Sequence, residues 1–146
     1  MAPSNSRLRK LHDPQLHGGW VPNKQEEQWI QADFGLLRRV FAISTRGKSS
    51  IREDGSRLFQ GTVLPKYWGY VRYYALSTSN FGGIYRPITF EGSTEVVGNT
   101  DTDGIVTHHF SPRIGRYVRL EPLLIAGSGG LRWEVYGCPY CKSLCI

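Results

Sequence analysis

The chain has 146 residues, a length typical of one domain, and its 40% hydrophobic content is enough to fill a core and to exclude a disordered protein. A formal net charge of +6 at pH 7 is spread along the chain rather than gathered in one stripe, which argues against a nucleic-acid binder. No run of 18 apolar residues predicts a transmembrane segment, and the first residues carry no apolar stretch typical of a secretory signal.

Short strands separated by turns are predicted along most of the chain. Residues 1–27 are polar and indicate loop or tail, and the 17 glycines and 8 prolines are distributed so that long helices are disfavoured. Alternating, β-branched and aromatic runs predict strands at 28–35, 37–45, 70–79, 84–90, 105–110, 115–121 and 131–136. Six or seven such strands indicate an all-β protein, an antiparallel sandwich or barrel.

Three cysteines lie near the end of the sequence, at Cys138, Cys141 and Cys145. An odd number leaves at least one thiol without a partner within the chain. The sequence Cys138-Pro139-Tyr140-Cys141 has the pattern of a thiol redox site. That chemistry needs a helix that begins at the first cysteine, and no helix is predicted here. A zinc site needs four ligands, and no histidine lies close in sequence to these thiols.

Six blocks follow one another along the chain: Gln28–Gly35, Ile43–Gly47, Tyr70–Ser77, Gly98–Asp101, Arg116–Pro122 and Leu131–Cys138. In this order they resemble the discoidin family, also called the coagulation factor 5/8 type C domain. The resemblance implies a jelly-roll-like antiparallel barrel whose loops at one end bind ligands. It also implies a non-catalytic domain that recognises anionic phospholipid, carbohydrate or extracellular protein.

The family pattern and this chain differ near the start of the domain. Domains of the family begin with a cysteine that bridges to the position of Cys138, and no cysteine precedes Cys138 here. The Gln28–Gly35 block also normally sits deeper in the domain, so we expect the opening strands and the first binding loop to be missing. We expect 1–19 to be a tail or a remnant of the domain start, 20–138 the discoidin-like domain, and 139–146 a cysteine-containing tail.

The long connection 46–69 stands where the family carries a binding loop, and it looks longer than usual for the family. Its cations would pair with phosphate or carboxylate, and its aromatic side chains would enter a membrane interface or stack on a sugar. Alternatively, the apolar groups hold the loop against the barrel while Glu53 and Asp54 pair locally. The candidate ligand-binding residues are Arg46, Lys48, Arg52, Arg57, Leu58, Phe59, Lys66, Tyr67 and Trp68.

A second set of residues is expected to be structural. Trp29 and Trp133 lie inside strand blocks and are expected to pack in the core. Asp33 and Arg132 lie in strands that the resemblance places in the barrel, so they form a structural ion pair or face solvent. Cys138 is assigned a structural role by the family pattern, and Trp20 is either a loop contact or a core residue.

No metal site is predicted. His108 and His109 are adjacent on a strand and therefore point to opposite faces. Asp101 and Asp103 hint at calcium, but Pro112 stands where a calcium loop would place its glutamate, so a turn held by aspartate side chains is the better interpretation.

The sequence thus predicts a non-catalytic extracellular recognition or adhesion module without a cofactor. It would bind a glycan, an anionic phospholipid headgroup at a membrane surface, or a partner protein through loop 46–69, helped by the Asn80–Gly83 turn. Its location, outside the cell or at the cell surface, is implied by the resemblance alone. The alternative is a truncated interaction fragment that assembles with a partner, as a disulfide-linked oligomer through Cys141 or Cys145.

Overall fold

The computed structural model describes residues 20–22, 28–48 and 68–140 of the chain. These segments form an all-β fold of antiparallel strands, as predicted, and they contain no helix that could cross a membrane. The strands are β1 (Ile30–Arg46), β2 (Gly69–Ser79), β3 (Arg86–Pro87), β4 (Val96–Val97), β5 (Val106–Gly127) and β6 (Arg132–Pro139).

The two longest strands, β1 and β5, each contribute to both layers of a sandwich. The sheet order is β3-β2-β5-β1-β6, and β4 also pairs with β2. The second half of β5 pairs with β2 and with the start of β1, whereas its first half pairs with the end of β1, which also pairs with β6. The two layers are therefore continuous through the bends of β1 and β5, and their buried faces enclose one core.

The bend in β1 corrects the prediction of two separate strands at 28–35 and 37–45. Asp33 pairs with Tyr117 and Arg38 with Gly115, so four residues of β1 face one residue of β5. Gly35 adopts a φ of 77°, which glycine tolerates best, and its N–H donates to the Asp33 carboxylate at 2.8 Å. A turn signal within a strand pattern here marks a bulge at which the chain passes from one layer to the other.

Pro112 likewise does not end a strand, so the segments predicted at 105–110 and 115–121 are one strand. Val40 pairs with Arg113 and Ala42 with His109, so Phe41 alone faces three residues of β5, Phe110 to Pro112. Proline has no N–H for the sheet, and a bulge is a place where that missing donor is tolerated.

The remaining strands differ from prediction mainly in length. The predicted strand 84–90 contributes only the two-residue β3 at the edge of the sheet, whereas β6 extends beyond residue 136 to Pro139. The alternation predicted in 115–121 is confirmed, because Val118 and Leu120 are fully buried while Tyr117 and Arg119 are partly exposed.

The core joins side chains from both layers. Trp133 of β6 and Ile43 of β1 come from one layer, and Tyr74 and Leu76 of β2 come from the other. The full buried cluster comprises Ile30, Ala32, Val40, Ile43, Val71, Tyr74, Leu76, Ile88, Val96, Val118, Leu120, Leu131 and Trp133. Because this core fixes the layers, the connections at their ends are held in defined positions.

Candidate functional site

One end of the sandwich gathers four connections, which we call the loop end. Lys48 forms an isolated bridge with Gly69, which also pairs with Gly127, so the base of the predicted binding loop lies beside the turn after β5. The loop end consists of Trp20, 46–48, 68–70, 99–104 and 127–131. Both layers therefore present loops to the same side, as the resemblance implies.

Arg132 holds two of these segments together from inside the protein. Its side chain is fully buried, donating from Nε to the Gly47 carbonyl and from one terminal nitrogen to the Thr102 carbonyl at 3.0 Å. The same nitrogen lies 3.3 Å from the Asp103 carboxylate. Burial, followed by the positive charge of Arg46, lowers the pKa of Arg132 to about 10. The guanidinium acts as an internal clamp of the loop end and is not available to a ligand.

The 99–104 segment is a rigid turn that carries a charged pair. Asp101 accepts hydrogen bonds from the backbone N–H of Gly104 at 2.6 Å and of Asp103 at 3.2 Å, which confirms the predicted aspartate turn. The Asn99 side chain donates to the carbonyls of Thr45 and Gly104 at 3.0 and 2.9 Å. No metal-binding cluster of three or more acidic, histidine or cysteine side chains occurs within 20–22, 28–48 and 68–140.

Asp103 is the carboxylate that the arginines of the loop end share. It lies 3.6 Å from Arg46, and its side chain is 41% exposed against 21% for that of Arg46. A charged pair fixed in this way offers donors and an acceptor at the surface at small cost in side-chain entropy. It can therefore bind hydroxyl groups without carrying a large net charge.

Two aromatic side chains lie at the same end of the sandwich as that charged pair. The rings of Trp68 and Tyr70 are 6.4 Å apart and tilted by 34°, and both residues are half-buried. The Trp68 carbonyl accepts hydrogen bonds from the backbone N–H and the hydroxyl of Ser128, both at 2.9 Å, and its ring packs close to Gly127. Trp20 bridges Leu131 through the backbone and packs against the core, so it is partly a core residue and partly a loop contact.

The structure separates the predicted ligand-binding residues into three groups. Trp68 and Arg46 lie at the loop end, as expected, with Arg46 paired to Asp103. Lys48 is only 3% exposed, so it is not the rim cation that the sequence predicted, and burial lowers its pKa. The remaining predicted residues, Arg52, Arg57, Leu58, Phe59, Lys66 and Tyr67, lie outside the described residues.

The Asn80–Gly83 turn is not part of this site, which corrects the prediction that it helps loop 46–69. The turn follows β2, whereas loop 46–69 precedes β2. The 11 residues of β2 span about 33 Å between them. The turn therefore lies at the end of the sandwich opposite Lys48 and Trp68, the described ends of that loop.

Tyr70, Asp103 and Ser128 lie at the site but are not among the predicted ligand-binding residues. The sequence places Tyr70 in a strand, and it suggests for Asp103 only a calcium ligand or a turn residue. Their place at the site follows from the pairing of β2 with β5 and from the contact of Arg132 with residues about thirty positions away. No local pattern indicates those long-range contacts.

The predicted structural tryptophans have different environments. Trp133 is 1% exposed in the core, which confirms its prediction. Trp29 is half-buried outside the core, and the prediction of core packing is wrong for it, because the guanidinium of Arg119 lies 3.9 Å from its ring centroid. Arg119 is also 3.8 Å from the ring centroid of Tyr85, so it is stacked between two aromatic rings.

Asp33 and Arg132 do not pair with each other; each has another partner. The Asp33 carboxylate accepts two hydrogen bonds from Arg116, at 2.8 and 3.1 Å. Arg132 contacts Asp103, as described above. Cys138 is disulfide-bonded, and the three cysteines of the chain cannot all pair with one another.

The Asp33–Arg116 pair predicts a pH-dependent contribution to stability. The hydrogen bond from Arg116, then that from the Gly35 N–H, lowers the pKa of Asp33 to about 2. Because the pKa is depressed in the folded state, the ionised carboxylate stabilises the fold above about pH 4, and this contribution is lost as the pH falls through about 2. Asp33→Asn should therefore lower the melting temperature near pH 6, and lower it much less near pH 2.

Thermal unfolding followed by circular dichroism measures this difference. Glu121→Gln is the matched control, because it removes one exposed carboxylate from β5 without touching Arg116. Equal melting temperatures for Asp33→Asn and the unmodified protein near pH 6 would contradict the prediction.

Comparison with known proteins identifies the family. The family model of the F5/8 type C domain matches residues 3–135. The chain belongs to this family. The match begins ahead of residue 20, where the sequence analysis places the start of the domain, and the domain bounds stay a prediction.

The F5/8 type C chain is similar in sequence to neuropilin-1. It is 33% identical to the protein of Homo sapiens over 128 residues, which are 82% of this chain and 12% of neuropilin-1. It is 35% identical to neuropilin-1 of Mus musculus over 124 residues, which are again 82% of this chain and 12% of that protein. The chain thus spans about an eighth of the length of these relatives.

Solved structures share the fold of this F5/8 type C domain. Discoidin II from Dictyostelium discoideum matches with a TM-score of 0.69 and 21% identity, covering 92% of this chain and 49% of that chain. The module CpGH89CBM32-5 from Clostridium perfringens was solved with GalNAc-β-1,3-galactose. It matches with a TM-score of 0.55 and 20% identity, covering 91% of this chain and 86% of that chain. At these identities the likeness establishes the jelly-roll-like fold.

Proposed function

We propose that this domain is a non-catalytic extracellular recognition module whose loop end binds carbohydrate. The observation that carries the proposal is the pair of half-buried rings, Trp68 and Tyr70, at the end that also holds the Arg46–Asp103 pair. Aromatic faces stack on the apolar faces of sugar rings, and a fixed charged pair offers a donor and an acceptor to hydroxyl groups. The extracellular setting rests on the family resemblance.

Within the described residues, the charges at the loop end favour carbohydrate over an anionic lipid headgroup. A headgroup phosphate would need cations that are not already engaged. Of the predicted cations that the structure describes, Lys48 is buried and Arg46 is paired with Asp103. A neutral ligand with many hydroxyl groups suits such a surface, and a module of the same fold was solved with GalNAc-β-1,3-galactose.

A second candidate function is assembly with a partner through a cysteine. The supporting observation is that Cys138 is disulfide-bonded in a chain with three cysteines, so one cysteine has no cysteine partner within the chain. Mobility on non-reducing and reducing gels tests it. A dimer band that disappears on reduction supports assembly, and a monomer band under both conditions argues against it.

Glycan-array binding of the unmodified protein and of Trp68→Ala tests the carbohydrate proposal. Losing a central aromatic side chain should weaken binding to the recognised glycans by roughly tenfold or more. Trp29→Ala is the matched control, since Trp29 stacks on Arg119 outside the loop end, and it should bind like the unmodified protein.

Vesicles separate the lipid hypothesis from the carbohydrate hypothesis. Phosphatidylcholine vesicles with and without phosphatidylserine should show no difference in sedimented protein. Binding to phosphatidylserine vesicles without binding to any glycan would overturn the carbohydrate proposal, as would equal glycan binding by Trp68→Ala and the unmodified protein.

A further inference from the structure

A groove lies at the end of the sandwich opposite the loop end. It has a volume of about 730 Å³ and lies between the turn after β2 and the bends of β1 and β5. Its lining includes Leu37 and Ile114 from the bends, Phe81 and Ile84 from the turn, and Arg86 and Arg113. About 33 Å of β2 separates it from Trp68 and Tyr70, so it is distinct from the proposed carbohydrate site.

The apolar rim of the groove is held outward by a defined turn. Phe81 is 91% exposed and Ile84 is 82% exposed. The hydroxyl of Ser79 accepts a hydrogen bond from the Gly82 N–H at 2.8 Å, and Gly82 adopts a φ of 87°, which glycine tolerates best. Two large apolar side chains held in water by a fixed turn indicate a contact surface.

Two arginines add positive charge to the same groove. Arg113 is half-buried and donates to the Pro87 carbonyl at 2.9 Å, while Arg86 is exposed. Burial, followed by the positive charge of Arg86, lowers the pKa of Arg113, so the two guanidinium groups repel each other. Within the described part of the chain, the salt bridges involve other arginines, and no carboxylate pairs with these two.

We propose that this groove binds an acidic peptide segment of a partner protein. A carboxylate of the peptide would lie between Arg86 and Arg113, and an adjacent apolar side chain would pack on Phe81 and Ile84. The carboxylate relieves the repulsion between the two guanidinium groups, and a bidentate arginine contact adds directional hydrogen bonds. Because Arg113 is half-buried in a groove that it shares with the exposed Phe81 and Ile84, the groove suits an extended chain better than a flat bilayer.

Charge reversal in the groove provides the test. The probe is an acetylated and amidated decapeptide of alternating glutamate and leucine, and its counterpart carries lysine in place of glutamate. The unmodified protein should bind the glutamate peptide at least about tenfold more tightly than the lysine peptide, measured by isothermal titration calorimetry. Arg86→Glu should abolish that preference, the double variant Arg86→Glu/Arg113→Glu should reverse it, and Phe81→Ser/Ile84→Ser should weaken binding of both peptides.

The control variant Arg72→Glu/Leu123→Ser makes the same chemical changes at exposed positions outside the groove and should leave both affinities unchanged. Arg86→Glu alone keeps the test valid if the double variant does not fold, because Arg86 is exposed. Absence of binding to the glutamate peptide, equal binding of both peptides, or binding to phosphatidylserine vesicles in their place would overturn the proposal. Glycan binding at the loop end should be the same in all these variants.

Discussion

Replacing Trp133 with alanine should lower the free energy of unfolding by about 3–5 kcal/mol. Trp133 is 1% exposed and pairs with Thr45 near the loop end of the β1–β6 ladder, where its ring packs in the buried core. Alanine removes most of that apolar surface and leaves a cavity that a closed sandwich cannot fill by moving one strand. Since a domain of this size is stable by about 5–15 kcal/mol, the variant should be close to the limit of folding.

Urea unfolding followed by far-ultraviolet circular dichroism measures this loss. Trp29→Ala is the matched control, since Trp29 is half-buried and stacks on Arg119 at the surface, so its loss should be clearly smaller. Trp133→Phe should fall between the two because the phenyl ring refills part of the cavity. Equal losses for Trp133→Ala and Trp29→Ala would contradict the assigned core.

Replacing Arg132 with methionine should lower the free energy of unfolding by about 2–3 kcal/mol. Methionine approximates the volume of the side chain but provides no donor, so the carbonyls of Gly47 and Thr102 lose their partner. Relief of the desolvation of a fully buried guanidinium offsets part of the cost. The 99–104 turn should then be less firmly held to the end of β1.

Hydrogen exchange shows where in the protein Arg132→Met loosens the structure. Amide exchange at 99–104 should accelerate in Arg132→Met more than at the opposite end of the sandwich. Arg116→Met serves as the control, because the Arg116–Asp33 pair is partly exposed and far along β5 from the loop end. Unchanged exchange at 99–104 in Arg132→Met would show that the arginine does not clamp the loop end.

The strand content and the antiparallel class could be predicted from the sequence because alternation at 115–121 and β-branched runs act locally. The bends could not, since Gly35 and Pro112 are ordinary stop signals that a bulge tolerates in this fold. A match of several blocks to one family, rather than any single motif, made the jelly-roll architecture predictable.

The candidate site was predictable only in part. Trp68 and Arg46 follow from their place in a long connection between strands. The burial of Lys48 and the pairing of Arg46 with Asp103 depend on segments that are distant in the sequence. The prediction that the Asn80–Gly83 turn helps loop 46–69 rests on a turn signal, which does not indicate at which end of a sheet the turn lies; only the strand pairing shows that.

Mapping of amide chemical shifts on addition of the glycan that binds most strongly on the array tests the central claim most directly. The largest changes should occur at 46–48, 68–70, 99–104 and 127–131, around the Trp68 and Tyr70 rings. Changes concentrated at the opposite end of the sandwich, or absent throughout at saturating glycan, would contradict a carbohydrate site at the loop end.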